Sequence, residues 1–195
     1  MTNVQRHSSA QRGFTLIEVM IAIVILSIGI LTVVAAFATA VSSTQNAQEN
    51  LIARQKALEA MESIFTARNT QQITFSQIAN IASGGIFTSG ATPLWDAGND
   101  GLVNTGDDVP FAAKGVCPAG SECITLPGPD GILGTPDDVA MSLANFTRQI
   151  QINQVLEPDG SVNPNLKQIT VTVSYTGMSP VPRSYSVNAL ISSFR

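Results

Sequence analysis

The sequence predicts an α+β fold: a long N-terminal helix, transmembrane in its first half, packed on an antiparallel C-terminal sheet. Three observations predict it. Residues 19–41 form a run of 23 without a charge. Residues 45–68 contain no Gly or Pro and many helix formers. Residues 169–175 and 185–191 alternate apolar with polar side chains, as half-buried strands do.

The apolar run comes first. As a helix of 1.5 Å per residue it reaches roughly 35 Å, enough for a hydrocarbon core of about 30 Å. The residues before it are polar and carry Arg6 and Arg12. By the positive-inside bias these stay cytoplasmic and the C-terminal part is translocated. The run is too long for the core of a secretory signal, and no A-x-A-like site follows Val41. Glu18 sits just inside the N-terminal edge of this segment, where an ionisable residue calls for a partner.

The residues around Glu18 supply a context for it. Arg12-Gly13-Phe14-Thr15-Leu16-Ile17-Glu18-Val19 resembles the class III signal of type IV prepilins and type II secretion pseudopilins. The resemblance implies cleavage after Gly13 by a prepilin peptidase and N-methylation of Phe14. It makes Glu18 the fifth mature residue, paired with the new amine of Phe14 on a neighbouring subunit. Leu26-Ser27-Ile28-Gly29 resembles the minor pilins of the type IV pilus modification protein type, and no Pro stands near Ala35 as in major pilins.

From residue 45 the helix continues to about Arg68, for roughly 80 Å in all. Leu51, Leu58, Met61 and Phe65 recur at helical spacing, an apolar stripe that should face the head. The organisation is therefore a leader at 1–13, a transmembrane and assembly half at 14–41, an amphipathic half at 42–68 and a globular head at 69–195. Residues 69–94 hold a short helix or turn, broken by Ser83-Gly84-Gly85.

Residues 95–141 contain a duplication. The segment 98–109 matches 128–139 at a constant offset of 30, both reading Gly-x-Asp-Gly-aliphatic-aliphatic-x-Thr-x-Asp-Asp-Val. Each copy offers turn-forming Asp-Gly, a Thr hydroxyl and paired carboxylates, the hard oxygen donors that calcium takes six to eight of. Asp100, Asp107 and Asp108 in one copy, and Asp130, Asp137 and Asp138 in the other, are the candidate calcium ligands. The spacing is not that of an EF-hand. It resembles Asp-Gly calcium loops of some pseudopilins and other exported bacterial proteins. Turn-forming loops without metal are the other reading of the same residues.

Between the copies lie Cys117 and Cys123. In an exported head they read as a local disulfide. With one histidine, His7, on the far side of the membrane, neither a zinc site nor an activated thiol is available. The C-terminal part, 148–192, reads as three strands joined at 157–160 and 177–182.

Charge excludes one class of partner. Between 69 and 147 there are eight acidic side chains and one basic, Lys114, a net −7 that repels nucleic acid. The expected protein is a non-enzymatic minor type IV pilin in the inner membrane, N-terminus cytoplasmic, and later in a pilus or at the cell surface. Its partners by this resemblance are other pilin subunits, the prepilin peptidase and the assembly platform. A type II secretion pseudopilin and a membrane-tethered, calcium-binding adhesive module are the alternatives.

Overall fold

A long stretch without Pro, rich in Ala, Ile and Leu, folds as one helix, α1 (Leu16–Asn69). The computed structural model describes residues 13–177 and 181–194, so the leader up to Arg12 lies outside the described residues. The chain forms two units, divided between Thr44 and Gln45.

In the first unit every residue from 13 to 41 is exposed. Its hydroxyls turn back onto the helix itself. Ser27 Oγ donates to the Ile23 carbonyl at 2.7 Å, Thr32 Oγ1 to Gly29 at 2.8 Å and Thr39 Oγ1 to Ala36 at 2.8 Å. These polar groups are satisfied without water, the condition a lipid environment sets. Length and composition suffice to cross a membrane.

The second unit holds the core. After a turn region with a short 3₁₀ segment, Ile81–Ser83, come β1 (Thr92–Pro93), β2 (Cys123–Leu126), β3 (Val139–Ser142), β4 (Phe146–Leu156), β5 (Val162–Tyr175) and β6 (Arg183–Ser192). The antiparallel sheet runs β1-β4-β5-β6, and β2 and β3 form a separate hairpin. Ile150 faces Val171, which faces Val187; Ile152, Ile169 and Ala189 form the next row. Phe146 and Tyr175 stack at 5.1 Å. The alternation in the sequence thus places one face of β4 and β5 in the core.

The helix meets this face through a different stripe from the expected one. Ala53, Ala57, Ala60, Met61, Ile64 and Ala67 are buried, whereas Leu51 is 62% and Leu58 42% exposed. Only Met61, and Phe65 in part, answer the expectation. The reason is volume. Ile150, Val171, Val173, Phe146 and Tyr175 already fill the interior, and alanines let the helix backbone approach at native packing density.

Side chains fasten the elements. Lys56, nearly buried on α1, donates to Glu59 at 2.7 Å and to Glu122 at 2.5 Å. Burial alone would lower its pKa, but these two carboxylates outweigh that and raise it. Asn80 caps the outer edge of β4. Its Nδ2 donates to the Ile150 carbonyl at 2.8 Å, and its Oδ1 accepts from the Ile152 amide at 2.9 Å. The opposite edge, β6, is bonded to no further strand among the described residues.

Candidate functional site

Two places gather the residues singled out by sequence. The first is the start of α1. Gly13 and Phe14 precede the helix and are exposed. A side chain at Gly13 would meet nothing within 4 Å. Among the described residues the fold therefore places no demand for glycine there. Thr15 caps the helix, its Oγ1 accepting from the Glu18 amide at 3.4 Å and its carbonyl from the Val19 amide at 3.2 Å. Glu18 lies in the first turn, where the exposed amides of a helix favour a carboxylate. Thr15 and Glu18 have the spacing of a capping box.

The second place is the duplicated loop, where the sequence match extends to the hydrogen bonds. In each copy an antiparallel pair closes the base: Asp96 with Val109, and Leu126 with Val139. In the first, Asp100 Oδ1 accepts from the Leu102 amide at 2.7 Å; in the second, Asp130 Oδ1 accepts from the Ile132 amide at 2.8 Å. Thr105 Oγ1 donates to Asp107 at 2.8 Å, as Thr135 Oγ1 does to Asp137 at 2.6 Å. Asp108 Oδ2 accepts from the Asn104 amide at 2.7 Å, and Asp138 Oδ2 from the Gly134 amide at 2.8 Å. Asn104 and Gly134 both take the left-handed backbone, with φ 61° and 90°. Gly98 and Gly128 are needed for space, since a Cβ at either would overlap the carbonyl of Asp107 or Asp137.

The carboxylates respond to these bonds. Thr105 and the loop amides hold Asp107 below the usual carboxylate range, and Thr135 does the same for Asp137. Asp100 moves the other way, raised first by burial and then by the charges of Asp107 and Asp108.

The copies differ in their surroundings. In the first, Leu102 is 2% exposed and Asn104 is fully buried. Asn104 Nδ2 donates to Thr92 Oγ1 at 2.7 Å and to the Arg148 carbonyl at 3.0 Å, and its Oδ1 accepts from Arg148 Nε at 2.6 Å. This copy is thereby fixed to the β1–β4 edge of the sheet. Arg148, 3% exposed, is buried with it; burial lowers its pKa, and the charge of Asp108 foremost opposes this. In the second copy Ile132 and Leu133 are 60% and 61% exposed. That copy is the tip of the β2–β3 hairpin.

Cys117 and Cys123 are joined as a disulfide. It borders a cleft of about 700 Å³ shared with Phe111, Val116, Leu133 and Asp138.

The family model of the prokaryotic N-terminal methylation motif matches residues 8–38. The chain carries a pilin-type methylation motif. Its residues 13–38 are the helix start and the exposed apolar helix described above, and 8–12 lie outside the described residues. The remainder of the chain is outside that match. No curated protein and no solved structure matches the chain.

The methylation motif thus covers Gly13, Phe14 and Glu18. The six candidate aspartates form two separate sets of three. Among the described residues no three His, Cys, Asp or Glu side chains converge as metal ligands would. The carboxylates mainly hold the backbone of their own loop. Of the six, Asp138 alone has a buried oxygen, Oδ1, without a hydrogen-bond partner. Asn104 and Arg148, which build the docked copy into the sheet, and Asn80, which caps the β4 edge, carried no signal in sequence beyond the mismatch of Asn104 with Gly134 in the repeat.

Proposed function

We propose that the chain is a minor type IV pilin, a structural subunit that leaves the membrane for a fibre after processing. The observation that carries this is the methylation motif set directly on an exposed apolar helix. Hydrolysis of the Gly13–Phe14 peptide bond would free the amine of Phe14, which is then methylated. That cation would lie at the depth of Glu18 on a neighbouring helix. Pairing the two removes the cost of an isolated carboxylate among apolar helices and sets the stagger of adjacent subunits. Gly29 supports the same reading. A side chain there would meet nothing within 4 Å, so its helix-weakening effect has no return inside this chain. It would allow close approach of another helix.

Mass spectrometry of the mature protein tests the proposal. A chain beginning at N-methylated Phe14 is expected; a chain retaining 1–13 in cells with the peptidase would overturn it. A secretion pseudopilin shares this chemistry, and the genes beside this one separate the two.

A second reading is that the hairpin-tip copy takes a calcium ion through Asp130, Asp137 and Asp138. The unpartnered Asp138 Oδ1 favours it. Calcium should then raise the melting temperature of the full chain in detergent and a chelator lower it, whereas Asp138→Asn should abolish the difference.

A further inference from the structure

We infer that the outer face of the sheet is a binding surface for a neutral polysaccharide. One face of β4, β5 and β6 packs on the core, so the residues between the packed ones point to the other side. Two rows lie at the centre of that side: Gln149, Thr172 and Ser186, then Gln151, Thr170 and Asn188. The row before them holds Thr, Ser and Ser, and the row after them Asn, Gln and Leu. Eleven of these twelve positions carry a hydroxyl or an amide, and none is charged. All twelve are exposed or half-buried. Solvation alone does not demand such an exclusion of charge, and residues 69–147 of the same head carry −7.

At its β4 margin this face runs into a cleft of about 230 Å³, whose polar lining is Asn80, Ser83, Ser89, Gln149, Gln151 and Asn153, again without a charge. Thr172 and Ser186 share a hydrogen bond of 2.8 Å, and Thr170 Oγ1 donates to Asn188 at 2.7 Å, so the centre of the array is held in place. The side-chain amides of Gln149, Gln151 and Asn153 bond to no other described residue. Each keeps donors and an acceptor for a ligand. That chemistry selects the occupant. A sugar hydroxyl both donates and accepts, as amide and hydroxyl side chains do, whereas a carboxylate only accepts and an ammonium only donates. Uncharged groups also cost less to desolvate than ions, and they offer nothing to a charged polymer. The face is small for a protein partner. With strands about 4.8 Å apart and a two-residue repeat of about 6.8 Å, it measures about 14 by 27 Å, half of the roughly 800 Å² that each side of a standard interface buries. Its one large apolar member is Leu190. A chain of sugars lying across the rows, with one unit in the cleft, would use both features. The inference concerns the head and does not rest on how the N-terminus is processed.

The experiment uses the full chain in a detergent without a sugar headgroup. The chain is mixed with microcrystalline cellulose, chitin or cross-linked dextran, three neutral polysaccharides, and with carboxymethyl-cellulose beads as a charged counterpart. The fraction that sediments with each matrix is measured. Retention on at least one neutral matrix, and less on the carboxymethylated one, is expected. Gln151→Glu and Thr172→Glu, which place a charge at the centre of the face, should each cut retention about tenfold. Gln48→Glu, the same change of charge at an exposed position of α1, should leave it unaltered. An intact Cys117–Cys123 disulfide and an unchanged melting curve show that the variants fold. No retention on any neutral matrix, retention that neither face variant lowers, or an equal loss with Gln48→Glu would each overturn the inference. So would a dimer in detergent that Thr172→Glu dissociates, since the face would then belong to a second copy.

Discussion

At Asn104 three hydrogen bonds meet without access to water: two donated, to Thr92 and to the Arg148 carbonyl, and one accepted from the Arg148 guanidinium. Asn104→Ala would leave a buried carbonyl and a buried cation with fewer partners. The expected loss is about 2–4 kcal/mol, read from denaturant unfolding. The equivalent Gly134→Ala lies in solvent at φ 90° and should cost less, about 1 kcal/mol of backbone strain. Equal losses at the two sites would mean that the docked copy is no better fixed than the free one. Asp107 gives a pH signature. Its folded pKa is depressed, chiefly by Thr105, so its contribution is complete above the ordinary carboxylate pKa of about 4 and is lost as pH falls through the lower folded value. Asp100 has the opposite sign: its pKa is raised by burial, so its ionisation costs stability as pH climbs through the ordinary range. Thr105→Val should move the Asp107 midpoint upward in a carbon-detected NMR titration; an unmoved midpoint would assign the shift to the loop amides alone.

Among the elements, α1 separates what the sequence makes legible from what it hides. Its extent, its apolar first half and the alternating strands all follow from periodicity, because exposure to lipid or to one face of a core repeats with the geometry of the backbone. The face it turns to the sheet does not. A search for large apolar residues selects Leu51 and Leu58, but packing is complementary, and the sheet supplies the bulk while the helix supplies alanine. Ala57→Leu should therefore destabilise by about 1–3 kcal/mol through overpacking, while Leu51→Ala stays within about 0.5 kcal/mol. Thermal melts of both variants check this, and the reverse order would restore the leucine stripe. The duplicated loop is similar. Its two copies are visible at a glance in the sequence, with their turn glycines and Asp pairs. Which copy is docked depends on Asn104 against Gly134 and on an arginine more than 40 residues away, a relation that no local pattern carries. The hairpin strands β2 and β3 are only four residues each and flank the second copy, so they read as part of the loop region.

For the whole molecule, the sequence directs one helix into two different surroundings. Up to Val41 it meets its surroundings on every side; from Ala53 onward it is part of a core. The methylation motif matches the exposed end of the helix. Glu18→Ala should leave the chain in the membrane and its head folded, with the disulfide formed, while incorporation into sheared fibres falls about tenfold or more. Normal incorporation would reduce Glu18 to a helix-capping carboxylate. Gly13→Ala should likewise spare the fold, because no described residue lies within 4 Å of an added Cβ there, and on the proposed function it would act through cleavage of the leader.

The duplication also has a genetic consequence. Copies that match at a constant offset of 30 residues are separated by a whole number of codons, so unequal recombination between them keeps the reading frame. The contracted product would fuse the start of the docked loop to the end of the free one. It would retain one loop and lose both Cys117 and Cys123 together, leaving no odd thiol behind. The expanded product would gain a further loop and a further cysteine pair. A population carrying this gene would thus have a route to heads with one, two or three such loops, each with its thiols still in even number.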